Sequence, residues 1–141
     1  MKTLYETKAT AIGGRAGTVR TDDGVLDLAL ALPSGLGGKG GATNPEQLFA
    51  AGYGACFANA VLHVARSKGM KIADNDVEVV ADVAIGANDA GGFQLTVALA
   101  TTLSGMDQAT AETLVHAAHQ VCPYSNAVRG NIDVAISVAT R

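Results

Sequence analysis

Asn44-Pro45-Glu46-Gln47-Leu48-Phe49-Ala50-Ala51-Gly52-Tyr53-Gly54-Ala55-Cys56-Phe57-Ala58-Asn59-Ala60-Val61-Leu62-His63-Val64-Ala65-Arg66-Ser67-Lys68-Gly69 reads as one helix with both ends marked. Asn44 can cap it, Pro45 suits the first helical position, and Gln47 stands where a capping box needs a Gln. The pattern runs to Lys68, and Gly69 supplies the stop. From Leu48 to Val64 nearly every side is apolar or small, so the helix belongs inside the molecule and the other elements must cover it.

Upstream, Lys2 to Thr10, Ala16 to Thr21 and Val25 to Leu32 read as strands, the last with Leu26, Leu28, Leu30 and Leu32 on one face. Asp22-Asp23-Gly24 makes the turn between the second and third. Downstream, Val77, Val79, Ala81, Val83 and Ile85 alternate with Glu78 and Asp82, and Phe93, Leu95, Val97 and Leu99 repeat the pattern after Asn88-Asp89-Ala90-Gly91-Gly92, which predicts a hairpin. A second helix is expected from about Asp107 to Val121, with Ala111, Leu114, Val115 and Ala118 inward. Pro123 starts a short turn ending near Gly130, and Ile132, Val134, Ile136 and Val138 form a last strand. The predicted fold is α+β, β-β-β-α-β-β-α-β, with a sheet packed on the long apolar helix.

The chain has 141 residues, 48% of them hydrophobic, enough for one core and a single domain spanning 1–141. A net charge of −3 without any Lys/Arg run argues against nucleic acid or an anionic membrane as a partner. No signal-peptide pattern opens the sequence, and no stretch approaches the ~20 apolar residues of a membrane span, so a cytoplasmic protein is expected. Two cysteines in a reducing compartment do not make a disulfide scaffold; a bond between them would be transient.

Those cysteines are the first candidates for chemistry. A buried Cys is ordinarily an inert small hydrophobe, but Cys56 follows Gly52 and Gly54. Each glycine costs on the order of 0.8 to 1 kcal/mol in a helix interior, which calls for a reason such as close packing. Cys122 stands at a break between the second helix and Pro123, where a sulfur can swing. A reactive thiol must ionise, and with a pKa near ~8.5 it needs a positive neighbour. Arg15, in Gly13-Gly14-Arg15-Ala16-Gly17, is flanked by glycines that allow close backbone approach. Glu46, in the first helical turn, suits the positive helix end and could also hold the planar guanidinium of Arg15 by paired hydrogen bonds.

The run from Thr43 to Tyr53 leading into Ala55-Cys56-Phe57, together with Cys122-Pro123-Tyr124-Ser125-Asn126-Ala127 and the early Gly-Gly-Arg-Ala-Gly, resembles the organic hydroperoxide resistance proteins. They are a branch of the superfamily that includes the osmotically inducible protein C group. The likeness covers essentially the whole chain. It implies a thiol peroxidase acting on alkyl and fatty-acid hydroperoxides as an intertwined homodimer, without a cofactor or metal, and recycled by a dithiol of the lipoyl type on lipoylated proteins. By matching motif, Cys56 is the peroxidatic thiol, Cys122 the resolving one, and Arg15 and Glu46 the activating pair. Phe49, Tyr53 and Phe57 are candidates for the apolar substrate wall, although each suits the core equally. Glu46 and Cys56 are ten positions apart, about 15 Å along a continuous helix. Either the helix breaks near Gly52 to Gly54, or Arg15 and Glu46 serve Cys56 of the other subunit. The second is expected, because so apolar a helix in so short a chain is most readily buried across a dimer.

Two rival readings stand beside it. His116, His119 and Cys122 recur every three positions, a spacing that could hold a metal, with His63 elsewhere. A non-catalytic redox sensor would use the same two cysteines. The Gly35 to Gly41 loop carries Lys39 without a following Ser or Thr and does not match a phosphate-binding loop.

Overall fold

In a computed structural model that describes residues 1–141, the helix opening at Asn44 forms as α1, Pro45–Ser67, without interruption. Its entry is fixed as the sequence predicts, by Gln47 N–H donating to Asn44 Oδ1 at 2.9 Å. The Gln47 side chain does not complete the box: its oxygen accepts from the Thr43 hydroxyl at 2.9 Å instead. At the other end Met70 N–H returns to the Ala65 carbonyl at 3.0 Å, closing the helix around Gly69.

By length and composition α1 would pass for a membrane span, with a window of mean hydropathy 1.5. The expectation that no stretch is so apolar therefore does not hold. A core helix has the same composition, and Tyr53, Phe57, Ala60, Val61, Val64 and Ala65 are all buried. Even so, only 44% of that window is buried within this chain.

The chain divides into two compact units, Met1–Leu48 and Phe49–Arg141. In the first, β1 (Ala9–Ile12), β2 (Thr18–Thr21) and β3 (Asp27–Ala29) form an antiparallel sheet in that order. All three are shorter than the alternation suggests. Pairing runs from Ile12 opposite Thr18 to Ala9 opposite Thr21, where the Asp22-Asp23-Gly24 turn ends β2. Residues before Lys8 therefore have no partner strand to extend the sheet. Past β3 the chain stays extended, and Leu30 bridges to Thr43 just ahead of α1.

In the second unit, β4 (Val77–Ala87), β5 (Phe93–Leu103) and β6 (Ala135–Thr140) form a sheet with β5 in the centre. The β4–β5 hairpin closes through Asn88, whose Oδ1 accepts from the N–H groups of Ala90 and Gly92. β6 runs parallel to β5, a geometry that requires a crossover. That crossover is α2 (Gln108–Val121) and α3 (Pro123–Val128). Asp107 caps α2 by accepting from Thr110 N–H at 3.0 Å. Val97, Leu99 and Leu103 of β5 and Ala111, Leu114, Val115 and Ala118 of α2 join the buried residues of α1 in one core. Ile132 and Val134 pack against it, but ladder pairing begins only at Ala135. The architecture is α+β in the predicted order, with two small sheets.

Candidate active site

Cys56 lies at the midpoint of α1, about three turns from either end, and Cys122 is both the last cap of α2 and the first cap of α3, with extended backbone at φ −62, ψ 123. Pro123 forces that break, since it cannot continue the hydrogen bonding of α2 but fits the first position of α3. The two sulfurs come together across the second unit: the Cys122 thiol donates to Cys56 Sγ at 3.6 Å. Both are free thiols; Cys56 is partly exposed and Cys122 is fully buried. A disulfide of about 2.05 Å is one short sulfur movement away. Burial pushes the Cys56 thiol above its ordinary pKa and the Cys122 thiol adds to the rise, while the Tyr124 backbone N–H pulls the other way. A nearby cation or a further hydrogen-bond donor would favour its thiolate.

Arg15 and Glu46 form an ion pair in the first unit. The loop Gly13–Gly17 closes the β1–β2 hairpin, and a side chain on Gly17 would overlap the Ile12 carbonyl oxygen, 1.7 Å from an added Cβ. The tight loop projects Arg15, which grips Glu46 with both terminal nitrogens, at 2.7 and 2.5 Å. This is the paired geometry predicted for a guanidinium and a carboxylate. The hydrogen bond from Arg15 holds the Glu46 carboxyl below its ordinary pKa, and Glu46 raises that of Arg15 in return. Because α1 is unbroken, Glu46 and Cys56 are separated by about 15 Å along its axis.

Of the three aromatic candidates, Tyr53 and Phe57 are fully buried core residues, and Phe49 alone keeps some exposure. Phe49 meets Tyr53 edge-on at 5.9 Å and Tyr124 at 6.2 Å between ring centroids. Tyr124, 40% exposed and next but one to Cys122, is the aromatic the sequence reading passed over. Quoted there only as part of the motif that follows Cys122, it explains Gly52: a Cβ at that glycine would come within 2.9 Å of Tyr124 Oη, so the glycine makes room for that ring on α1. Gly54 has no comparable reason, for a Cβ there would meet Ala81 Cβ and the Val79 carbonyl oxygen at an ordinary 3.7 Å. The close packing expected at both glycines is thus found at one.

The histidines do not assemble with Cys122. No three His, Cys, Asp or Glu side chains converge as a metal site needs. Instead His119 Nδ1 lies 2.9 Å from Ser125 Oγ, which also meets Tyr53 Oη at 2.9 Å. This connection was not foreseen from sequence.

The family model of the OsmC-like protein matches residues 38–137. The organic hydroperoxide resistance protein of Xanthomonas axonopodis pv. citri is 51% identical over 98% of this chain and 96% of its own length. Among solved structures, an organic hydroperoxide resistance protein from Legionella pneumophila superposes with a TM-score of 0.93 at 54% identity, covering 98% of this chain and 99% of that one. One from Elizabethkingia anophelis gives 0.94 at 48% identity, with full coverage of both chains. A dithiol paired across two helices, a clasped Arg–Glu pair and likeness along almost the whole chain thus agree, and the chain belongs to the OsmC-like family, in its organic hydroperoxide resistance group.

Proposed function

We propose that the protein is a cysteine-based peroxidase that reduces organic hydroperoxides to alcohols. The observation that carries this reading is the pair of free sulfurs 3.6 Å apart, one partly exposed and one buried at a helix junction. The partly exposed Cys56 leaves a substrate a way in, and the buried Cys122 can only react inward. In the first step the Cys56 thiolate attacks the terminal oxygen of R–O–OH, the O–O bond breaks, and the products are Cys56 sulfenic acid and an alkoxide that takes a proton to become the alcohol. Attack on the alkyl-bearing oxygen would release hydroxide and leave a sulfenate ester, so it does not give these products. In the second step Cys122 attacks the sulfenic sulfur, forming the disulfide and releasing water. Condensation protects Cys56 from oxidation to sulfinic acid. A dithiol reductant, of the lipoyl type carried by lipoylated proteins in the cytoplasm, reopens the disulfide by thiol exchange.

Arg15, oriented by Glu46, is the cation that offsets the raised pKa of Cys56. The unbroken α1 favours delivery of this pair to the Cys56 of a second copy, in a homodimer that also covers the apolar surface left on α1. Phe49 and Tyr124 form the apolar approach to the thiol, which suits alkyl and fatty-acid hydroperoxides. The test is turnover of cumene hydroperoxide by substoichiometric protein with dihydrolipoamide. Wild type is expected to consume many equivalents, Cys56→Ser none, and Cys122→Ser a burst followed by inactivation as sulfinic acid accumulates. Consumption of a single equivalent by wild type would leave a redox sensor in place of an enzyme.

A further inference from the structure

We infer that the hydrogen-bonded chain Tyr53–Ser125–His119 is a strut that sets how readily Cys122 closes on Cys56, which makes Tyr53 and Ser125 positioning residues for disulfide formation. The inference rests on reading Cys56 and Cys122 as a redox pair. Tyr53 precedes Cys56 by three residues on α1, and Ser125 follows Cys122 by three in the first turn of α3. Residues so spaced are neighbours on a helix surface. The Tyr53 Oη to Ser125 Oγ bond, 2.9 Å, therefore runs beside the 3.6 Å approach of the two sulfurs. The His119 end completes the brace. His119 lies in the last turn of α2, three residues before Cys122, and its Nδ1 meets the same Ser125 oxygen at 2.9 Å.

One hydroxyl thus ties both helices that flank Cys122 to the helix that carries Cys56. Arg129 fastens the same corner, donating to the His119 carbonyl at 2.7 Å and to Asn126 Oδ1. Proton direction along the chain is consistent in either sense. With His119 Nδ1 bare, Tyr53 donates to Ser125 and Ser125 to His119; with Nδ1 protonated, both bonds reverse. Tyr53 and Ser125 have no exposed surface, so water does not replace a lost partner. Neither hydroxyl is needed to fill the core, where Phe and Ala would pack; their pairing is what requires an oxygen.

The consequence is a high effective concentration of Cys122 at Cys56, and with it fast condensation once Cys56 is oxidised. The experiment equilibrates wild type, Tyr53→Phe and Ser125→Ala in glutathione buffers, where the Cys56–Cys122 disulfide plus two glutathione thiols exchanges with the dithiol plus glutathione disulfide. The two variants are expected to hold the disulfide about tenfold less well and to show a larger sulfinic acid fraction by mass spectrometry under excess cumene hydroperoxide. Ser125→Thr, which keeps the hydroxyl, restores both values, an outcome that a loss of packing alone does not produce. In a Cys122→Ser background, Ser125→Ala leaves the rate of the first oxidation unchanged, since the strut acts only on closure. Folded variants with a wild-type disulfide equilibrium and sulfinic fraction overturn the strut while leaving the peroxidase reading intact. A wild type that forms no intramolecular disulfide overturns both.

Discussion

A thiol that burial makes harder to ionise, Cys56, and a carboxylate that an arginine makes easier to ionise, Glu46, sit on one helix. If Arg15 acts on Cys56, the two opposite tendencies are parts of one device, and pH separates them. Alkylation of Cys56 by iodoacetamide in a Cys122→Ser background reports its thiolate. Arg15→Ala is expected to move the midpoint of that profile upward and to slow alkylation at pH 7 about tenfold for each unit moved; superimposable profiles would remove Arg15 from the site. Glu46 answers to stability instead. A depressed carboxyl stabilises the fold above its unfolded pKa, and that contribution disappears as pH falls through the folded value. Thermal melts of Glu46→Gln should therefore lie below wild type at pH 7, with the gap narrowing below about pH 4. The pairing of Arg15 with Glu46 and of Cys56 with Cys122 was legible in the sequence because each residue is chemically distinctive and lies next to, or for Cys56 two residues after, a Gly or Pro. The bond between Tyr53 and Ser125 was not, since it joins hydroxyls 72 positions apart that carry no local pattern.

At the scale of elements, the two glycines of α1 part company. Gly54→Ala adds a methyl at ordinary contact distance and recovers helix propensity, so a stabilisation of up to about 1 kcal/mol is expected. Gly52→Ala brings the same propensity against a Tyr124 ring that must shift, so its gain should be smaller or absent and its mark should fall on hydroperoxide turnover. Chemical denaturation of both variants beside wild type checks the contrast, and equal gains would mean that Tyr124 yields freely. Element order, the cap at Asn44, the start of the second helix near Asp107 and the Asn88 turn were readable because they are written in contiguous residues. Strand limits were not. β1 starts at Ala9 and β6 at Ala135 because a strand extends only as far as its neighbour pairs with it, and that neighbour is remote in sequence.

For the molecule as a whole, mixed dimers decide whether Arg15 and Glu46 serve their own chain or, as proposed, a second copy. Arg15→Ala and Cys56→Ser chains, each inactive alone, should regain activity on co-expression, because one of the two sites then receives an intact Cys56 and an intact Arg15 from different chains. No recovery in a verified heterodimer would assign the pair to its own chain. The apolar character of α1 has a further consequence, which concerns synthesis. The residues that bury it, on β5 and α2, all follow it in the chain. At about 5 to 20 residues per second, the stretch from Ser67 to Val121 takes roughly 3 to 10 s to be made. Throughout that interval a helix apolar enough for a bilayer has left the ribosome without its cover. The nascent chain should then be a client of holding chaperones or of membrane-targeting factors, released only once the crossover emerges. Ribosome-bound chains stalled before and after α2 should differ sharply in chaperone crosslinking for this reason.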